Sequence, residues 1–202
     1  PGGEVPIILS KKNNYPIVIC GQGVSPEKAT NEYFKSLNLD IIPGSGLLAA
    51  VVPGAFDAWM LLLLNYGSKK LKDVLEPAIS IARRGYPLVP NIINTINSVK
   101  ELFLKDWQSS ANIYLPNGEL PSIDKLFCNY TLALTYERLI KQAESYSSNR
   151  EKQIEKARQI WKSGFIADHI HNFCKNNYYI DTSGEKHNGL LDRDDLASWT
   201  AT

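Results

Sequence analysis

The segment of residues 42–59 constrains the fold of this chain more than any other part of the sequence. It reads Ile-Pro-Gly-Ser-Gly-Leu-Leu-Ala-Ala-Val-Val-Pro-Gly-Ala-Phe-Asp-Ala-Trp, an apolar run interrupted by three glycines and two prolines. Loops are usually polar, because backbone groups shielded from water need hydrogen-bond partners. We therefore expect this loop to be buried, or to line a site where something approaches the backbone closely.

Length and composition place the chain among globular proteins. Its 202 residues suffice to bury a core, and the hydrophobic and charged fractions are 44% and 21%. A formal net charge of +1 argues against a nucleic-acid partner or an anionic membrane surface. The longest apolar run, residues 58–64, is far shorter than the ~20 residues of a membrane-spanning helix. The sequence therefore predicts neither a nucleic-acid nor a membrane partner.

Three cysteines, Cys20, Cys128 and Cys174, are odd in number and widely spaced, which favours reduced thiols over a disulfide framework. The chain opens with Pro-Gly-Gly rather than Met and reads as strand from Val5, so we expect further sequence upstream of residue 1. The compartment stays open, with the cytoplasm slightly favoured.

Local patterns predict a mostly helical chain with one β-hairpin. The β-branched runs at residues 5–10 and 15–20 flank a polar turn and form the hairpin. Ser25, Pro26 and Glu27 have the composition of a helix start. Apolar spacing predicts further helices at residues 55–66, 71–84 (with a kink or late restart at Pro77), 89–103, 129–146, 150–163, 165–175 and 192–199, and loops at 105–125 and 181–188. Because a lone hairpin is marginal in water, its strands are expected to join a larger sheet built by other sequence.

One predicted helix carries four residues of the kinds that bind metals: Asp168, His169, His171 and Cys174. On a helix, His169 and His171 point about 200° apart, and only His171 and Cys174 share a face. Two ligands fall short of the four that a structural zinc ion needs. No metal site is therefore predicted.

Other short patterns also have simpler explanations. The acidic residues Asp192, Asp194 and Asp195 could suggest calcium, but the rest of an EF-hand loop is missing, so N-capping by Asp192 is favoured. Residues 43–46 lack the flanking pattern of a nucleophile elbow, and residues 21–23 lack the third glycine of a dinucleotide fingerprint. Composition and spacing alone therefore predict only a mostly helical fragment.

Taken together and in order, several segments resemble the large subunit of the γ-glutamyltranspeptidase family. They are residues 21–26 (Gly-Gln-Gly-Val-Ser-Pro), 42–46, 51–59, 66–67, 75–79 (Leu-Glu-Pro-Ala-Ile), 82–88 (Ala-Arg-Arg-Gly-Tyr-Pro-Leu), 164–167 (Gly-Phe-Ile-Ala) and 189–199. Their order and separations agree over nearly the whole chain. The resemblance therefore implies that residues 1–202 are a single fragment of this large subunit, without an internal domain boundary.

The resemblance implies an α+β fold of the Ntn-hydrolase class, an αββα sandwich made from one precursor that cuts itself. The partner of this chain is then the small subunit, whose N-terminal threonine is the nucleophile. The substrate is a small-molecule amide of the γ-glutamyl kind, such as glutathione, and the acyl group passes to water or an amine. Neither a metal nor an organic cofactor is implied, no catalytic residue lies in this chain, and a homo-oligomer is compatible with the resemblance.

One position departs from the family pattern. Active members usually carry an arginine and then a glutamate, four and three residues before the proline that matches Pro26; here these positions are Gln22 and Gly23. The family arginine pairs with the α-carboxylate of the glutamyl group. A neutral amide replaces a charge-assisted pair at a cost of roughly 1–2 kcal/mol. We therefore expect Gln22 to contact the substrate. We also expect the protein to have a weak or no true preference for γ-glutamyl groups.

Two other interpretations stay open from the sequence. A non-catalytic helical ligand-binding or scaffold module could have kept the fold and lost the processing. An unrelated α-helical interaction domain would leave the ordered motifs unexplained. A companion chain that begins with threonine would distinguish the enzyme from the binding module.

Overall fold

A computed structural model describes residues 3–202, and within them it contains ten α-helices and six short strands. These residues cluster into two compact units: one runs up to Leu71 and resumes from Leu139 to Thr202, and the other is Lys72–Arg138. The absence of an internal domain boundary stays a prediction. Pro1 and Gly2, which belong to the opening that suggested upstream sequence, lie outside the described residues.

The helices are α1 Asn31–Ser36, α2 Ala55–Tyr66, α3 Leu71–Arg84, α4 Pro90–Ser98, α5 Lys100–Lys105, α6 Gln108–Tyr114, α7 Tyr130–Tyr146, α8 Arg150–Ser163, α9 Phe165–Asn176 and α10 Arg193–Ser198. The strands are β1 Pro6–Leu9, β2 Ile17–Cys20, β3 Tyr86–Pro87, β4 Leu126–Phe127, β5 Tyr179–Ile180 and β6 Lys186–His187. They pair antiparallel as β1–β2, β3–β4 and β5–β6. None of the helices formed by residues 3–202 has the length and hydropathy needed to span a bilayer.

The core of the first unit lies between the β1–β2 hairpin and helices α2, α8, α9 and α10. Ile19 of β2 is buried against Ala58 of α2 and Ala201. On another side of α2, Phe56 stacks on Trp161 of α8, with ring centroids 4.4 Å apart. Helices α9 and α10 both pack against α8. Helix α2 is thus covered on two sides, as its nearly all-apolar sequence requires.

The second unit has a hydrophobic core of its own, bordered by aromatic contacts. Phe127 of β4 stacks on Tyr114 of α6 at 6.1 Å between ring centroids, and Tyr86 of β3 meets Phe127 edge-on at 6.0 Å. Ala111 and Leu115 are buried in the same cluster. These contacts bring α6 and the β3–β4 pair together within the unit.

Most of the predicted elements are confirmed. The hairpin, the mostly helical α+β character and helices α2, α3, α7, α8, α9 and α10 form where the sequence places them, within one or two residues. Gly67 caps the end of α2, and Asp192 caps the start of α10. Helix α3 continues through Pro77 without a restart.

Two helix predictions are wrong, or right only in part. No helix starts at Ser25. Residues 27 and 28 form a turn, and α1 begins at Asn31 with Thr30 as its N-cap. The Glu27 amide bonds to the distant carboxylate of Asp195, so this turn is closed by a tertiary contact. The helix predicted for residues 89–103 is broken at Val99, which separates α4 from α5.

Two predicted loops contain regular structure. Residues 105–125 include α6, which forms because Ala111 and Leu115 are buried in the hydrophobic core of the second unit. Residues 181–188 hold the turn and second strand of the β5–β6 hairpin, where Gly184 takes a positive φ of 87°. In both places, burial or pairing with another segment overrides a polar local sequence.

Candidate functional site

Gln22 lies on an exposed turn directly after β2, where three backbone segments meet. The Gly21 amide donates to the Val5 carbonyl oxygen at 2.8 Å. Two residues on, the Val24 carbonyl oxygen accepts from the Val52 amide at 3.0 Å. The Gln22 side chain is exposed and makes no hydrogen bond within the described residues. Its backbone is therefore held on both sides, while its amide group is open to a ligand.

Glycines make this backbone packing sterically feasible. A Cβ atom on Gly23 would overlap the Val52 carbonyl oxygen, and a Cβ atom on Gly54 would overlap the Gly21 carbonyl oxygen. Because no side chain fits at either position, the close approach expected for the apolar run is confirmed at Val52 and Gly54. This run thus supports the turn that carries Gln22.

Helix α10 holds the segment that follows Gln22. The Asp195 carboxylate accepts from the Glu27 amide at 2.8 Å, and Asp192 Oδ2 lies 2.7 Å from Lys28 Nζ. The same two carboxylates close a capping box, in which each accepts from the amide of the other at 3.0–3.1 Å. The hydrogen bond from Lys28 is the main reason why the pKa of Asp192 is lowered. Two of the three acidic residues that could suggest calcium, Asp192 and Asp195, thus cap α10 and bind residues 27 and 28.

The residues after α10 hold the segment that precedes Gln22. The Ala201 amide and the Thr200 hydroxyl donate to Asp57 Oδ2 at 2.8 and 3.2 Å. Thr202 and Cys20 then exchange two backbone hydrogen bonds of 2.7 and 3.4 Å, as in an antiparallel strand pair. Cys20 lies two positions before Gln22, so the turn is anchored on this side as well.

Asp57 is a fully buried charge in this region. Arg158 Nε and Nη2 donate to its two oxygens at 2.6 and 3.0 Å. Burial by itself raises the pKa of Asp57, but the hydrogen bonds from Arg158 and the Ala201 amide, together with the Arg158 charge, lower it overall. Sequence reasoning did not single out this residue. The available signal was one acidic side chain in the first turn of an otherwise apolar helix.

The Pro-Gly-Ser-Gly loop at residues 43–46 is held by the β5–β6 hairpin. The Gly44 amide donates to Thr182 Oγ1 at 2.8 Å, and Gly46 takes a φ of 80° against Asp181. The Asp181 carboxylate accepts from Ser183 Oγ at 2.6 Å and lies 2.7 Å from His187 Nδ1. Because the serine bonds to the carboxylate and not to the imidazole, this trio lacks the arrangement of a nucleophile with its base.

The other candidate groups do not converge. Within residues 3–202, no set of three or more His, Cys, Asp or Glu side chains is placed to hold a metal ion. Asp168 pairs with Arg193 at 3.0 Å, and the His169 ring meets Phe165 edge-on. The three cysteines are free thiols.

Comparison with known proteins supplies the relatives of this chain. A model of the gamma-glutamyltranspeptidase family matches residues 1–202. The solved structure of LmbA2991HD is 48% identical, with a TM-score of 0.96, and the match covers all of this chain and 34% of that chain. Two further solved chains, at 22% and 23% identity, share the fold with TM-scores of 0.75 and 0.78.

Two curated proenzymes are also similar. The acylase ACY 1 proenzyme of Pseudomonas sp. (strain SE83) is 31% identical over 112 residues, which are 51% of this chain and 20% of the relative. The glutathione hydrolase-like YwrD proenzyme of Bacillus subtilis (strain 168) is 30% identical over 129 residues, which are 63% of this chain and 24% of the relative. The chain thus matches between a fifth and a quarter of the length of these two relatives.

Proposed function

Since the chain belongs to the γ-glutamyltranspeptidase family, we propose that it is the large-subunit part of an amide hydrolase or acyltransferase. The α+β fold is that of the Ntn-hydrolase structures in this family. The match covers only a third of the solved relative with the highest identity quoted above. The rest of the precursor would therefore supply the groups that react.

In the proposed reaction, the nucleophile is the hydroxyl of an N-terminal threonine on a small subunit outside this chain. Its α-amine takes the hydroxyl proton as the oxygen bonds to the amide carbonyl carbon. The carbon–nitrogen bond then breaks, the amine leaves with a proton, and water or another amine releases the acyl group. Backbone N–H groups stabilise the oxyanion. Support comes from the word proenzyme in the names of both curated relatives and from a threonine-to-alanine variant of LmbA2991 among the solved structures.

Gln22 is the observation that carries the substrate assignment. By the sequence resemblance it matches the position of the family arginine. Its side chain is exposed and unpartnered within the described residues, and its backbone is held on both sides. An amide can donate a hydrogen bond to the acyl group of a substrate but cannot neutralise a carboxylate. We therefore propose that the enzyme accepts γ-glutamyl-like amides, such as glutathione, with a weak preference for the γ-glutamyl group. The small-molecule amide and the small subunit are its proposed partners.

Processing is tested first, on the full-length protein. Intact-mass and N-terminal analysis should reveal two chains, the smaller beginning with threonine. A precursor that stays whole under conditions that mature its relatives would favour the non-catalytic ligand-binding module instead.

Substrate preference is tested with two matched anilides. γ-Glutamyl-p-nitroanilide and 4-aminobutyryl-p-nitroanilide differ only in the α-carboxylate. We expect similar kcat/KM values for both in the wild type, and a higher KM for both in Gln22→Ala. Rapid and selective γ-glutamyl turnover that is unchanged in Gln22→Ala would contradict the proposed role of Gln22.

A further inference from the structure

We propose that residues 192–202, here named the α10 brace, position Gln22 for substrate binding. Asp192 and Asp195 are then positioning residues that act on the reaction only through the turn that carries Gln22. The inference rests on the proposed function, because it gives Gln22 a substrate to bind. It assigns a role to the acidic motif near the end of the chain, which the proposed chemistry leaves unused.

The brace contacts the chain on both sides of the turn that carries Gln22. On the far side of Gln22, the carboxylates of Asp195 and Asp192 bind the Glu27 amide and Lys28 Nζ at 2.8 and 2.7 Å. On the near side, Thr202 exchanges two backbone hydrogen bonds with Cys20. A single short element thus fixes the chain two residues before Gln22 and five residues after it.

The brace is itself held in place by several contacts. Its capping box ties Asp192 to Asp195 through two hydrogen bonds of 3.0–3.1 Å. Leu196 is 1% exposed in the core of the unit, and the tip of the Trp199 ring lies against Gly54. The tail is bound to the buried Asp57 through the Ala201 amide. A change in the brace would therefore be transmitted to the turn rather than absorbed by the brace.

The position of the Gln22 amide group depends on this support. Because its side chain has no hydrogen-bond partner within the described residues, the position of its amide group depends on where the backbone places the side chain. Binding groups must be held to within a fraction of an ångström to contribute fully. The contacts of the brace with residues 20, 27 and 28 thus position this amide.

The test is a double-mutant cycle between Asp195 and Gln22 in the full-length processed protein, with γ-glutamyl-p-nitroanilide as the probe. Asp195→Asn replaces one of two accepting oxygens by a donor and so disrupts either the Glu27 contact or the capping box. We expect KM to rise about tenfold and kcat to change less than about twofold, since the lost interaction serves binding. In a Gln22→Ala background, Asp195→Asn should leave KM unchanged.

Asp194→Asn is the matched control, because it removes the same charge from an exposed neighbour in α10 that joins the cap only through its backbone amide, which the substitution keeps. Asp192→Ser is the second variant: serine keeps a good N-cap while the pair with Lys28 is lost, so it separates positioning from folding. It should also raise KM, by a smaller factor. Circular dichroism and the ratio of processed chains verify that each variant is folded and mature.

The outcomes separate this inference from the proposed function. If Gln22→Ala does not raise KM, both the substrate role of Gln22 and the inference are wrong. If Gln22→Ala raises KM while Asp195→Asn and Asp192→Ser do not, only the inference is overturned. The same holds if Asp195→Asn raises KM equally in the wild-type and Gln22→Ala backgrounds, since the brace would then act independently of Gln22.

Discussion

The Asp57 carboxylate and the Arg158 guanidinium, 101 positions apart in the chain, form a two-pronged ion pair inside the first unit, with N–O distances of 2.6 and 3.0 Å. Asp57 is fully buried and also binds the Thr200 hydroxyl and the Ala201 amide. One carboxylate therefore joins the start of α2, helix α8 and the tail of the α10 brace. Removing one partner of such an ion pair lowers the free energy of unfolding strongly, because the remaining charge is largely buried and has lost its partner.

We accordingly expect Asp57→Ala to lower the free energy of unfolding by about 3–5 kcal/mol. Denaturant unfolding followed by tryptophan fluorescence measures this change. The control is Glu137→Ala, which breaks the pair with Arg83 at 2.6 Å, where both side chains are 40% or more exposed. That variant should lose no more than about 1 kcal/mol. Equal losses in the two variants would contradict the structural role assigned to Asp57.

We expect the Asp57 carboxylate to account for part of the loss of folding stability at acid pH. The pKa of Asp57 is lowered in the folded chain relative to its ordinary value of 3.8. The folded state therefore holds fewer protons than the unfolded state, and the resulting stabilisation is present above about pH 4 and is lost as the pH falls through the folded pKa.

A urea titration at several pH values between 2 and 6 should show a shallower acid decline for Asp57→Asn than for the wild type. Asp194→Asn, which removes one exposed carboxylate, controls for the change in net charge and should retain the wild-type slope. An Asp57→Asn profile parallel to that of the wild type would refute the linkage.

Gly23 should tolerate no side chain. A Cβ atom there would overlap the Val52 carbonyl oxygen, and relieving the overlap would separate the turn from the apolar run. Gly23→Ala should therefore destabilise the protein by about 3 kcal/mol or more. Gly3→Ala, whose Cβ would meet nothing within 4 Å, should change the midpoint of thermal unfolding very little. Matching midpoints for the two variants would show that the close approach is not maintained in solution.

Gln22→Arg should restore selectivity for a carboxylate. The side chain at this position is exposed and unpartnered in the part of the chain that the structure describes, so a longer guanidinium can be accommodated. A charge-assisted pair should lower KM for γ-glutamyl-p-nitroanilide about tenfold and leave KM for 4-aminobutyryl-p-nitroanilide unchanged. The ratio of the two kcat/KM values is the measurement. Gln22→Lys, a cation without the fork, serves as the control and should gain less.

Helix ends were predictable where the stop signals lie close in sequence. Helix α2 lies between Gly54 and Gly67, and α8 lies between Asn149, which caps the Lys152 amide at 2.9 Å, and Gly164. These signals act through hydrogen bonds and dihedral preferences that span four residues or fewer. Local pattern therefore predicts both helices correctly.

Helix α6 and the β5–β6 hairpin were not predictable in this way. Residues 105–125 read as loop because of their polar and turn-forming composition, yet Ala111 and Leu115 are buried in the hydrophobic core of the second unit. The hairpin is held by the pairing of Tyr179 with His187 and by the buried Asp181. In both cases packing against a separate segment supplies stabilisation that local propensity does not reveal.

The family of this chain and most of its helices follow from the sequence, since motifs and caps consist of neighbouring residues; the substrate role of position 22 stays a prediction. How Gln22 is held depends on contacts between distant parts of the chain. The contact between the Glu27 amide and Asp195 joins residues 168 positions apart, and that between Ala201 and Asp57 spans 144 positions. No local pattern encodes which carboxylate will meet which amide, because that choice depends on how the helices pack around α8. Folding thus makes the acidic motif near the end of the chain a support for the turn near its beginning.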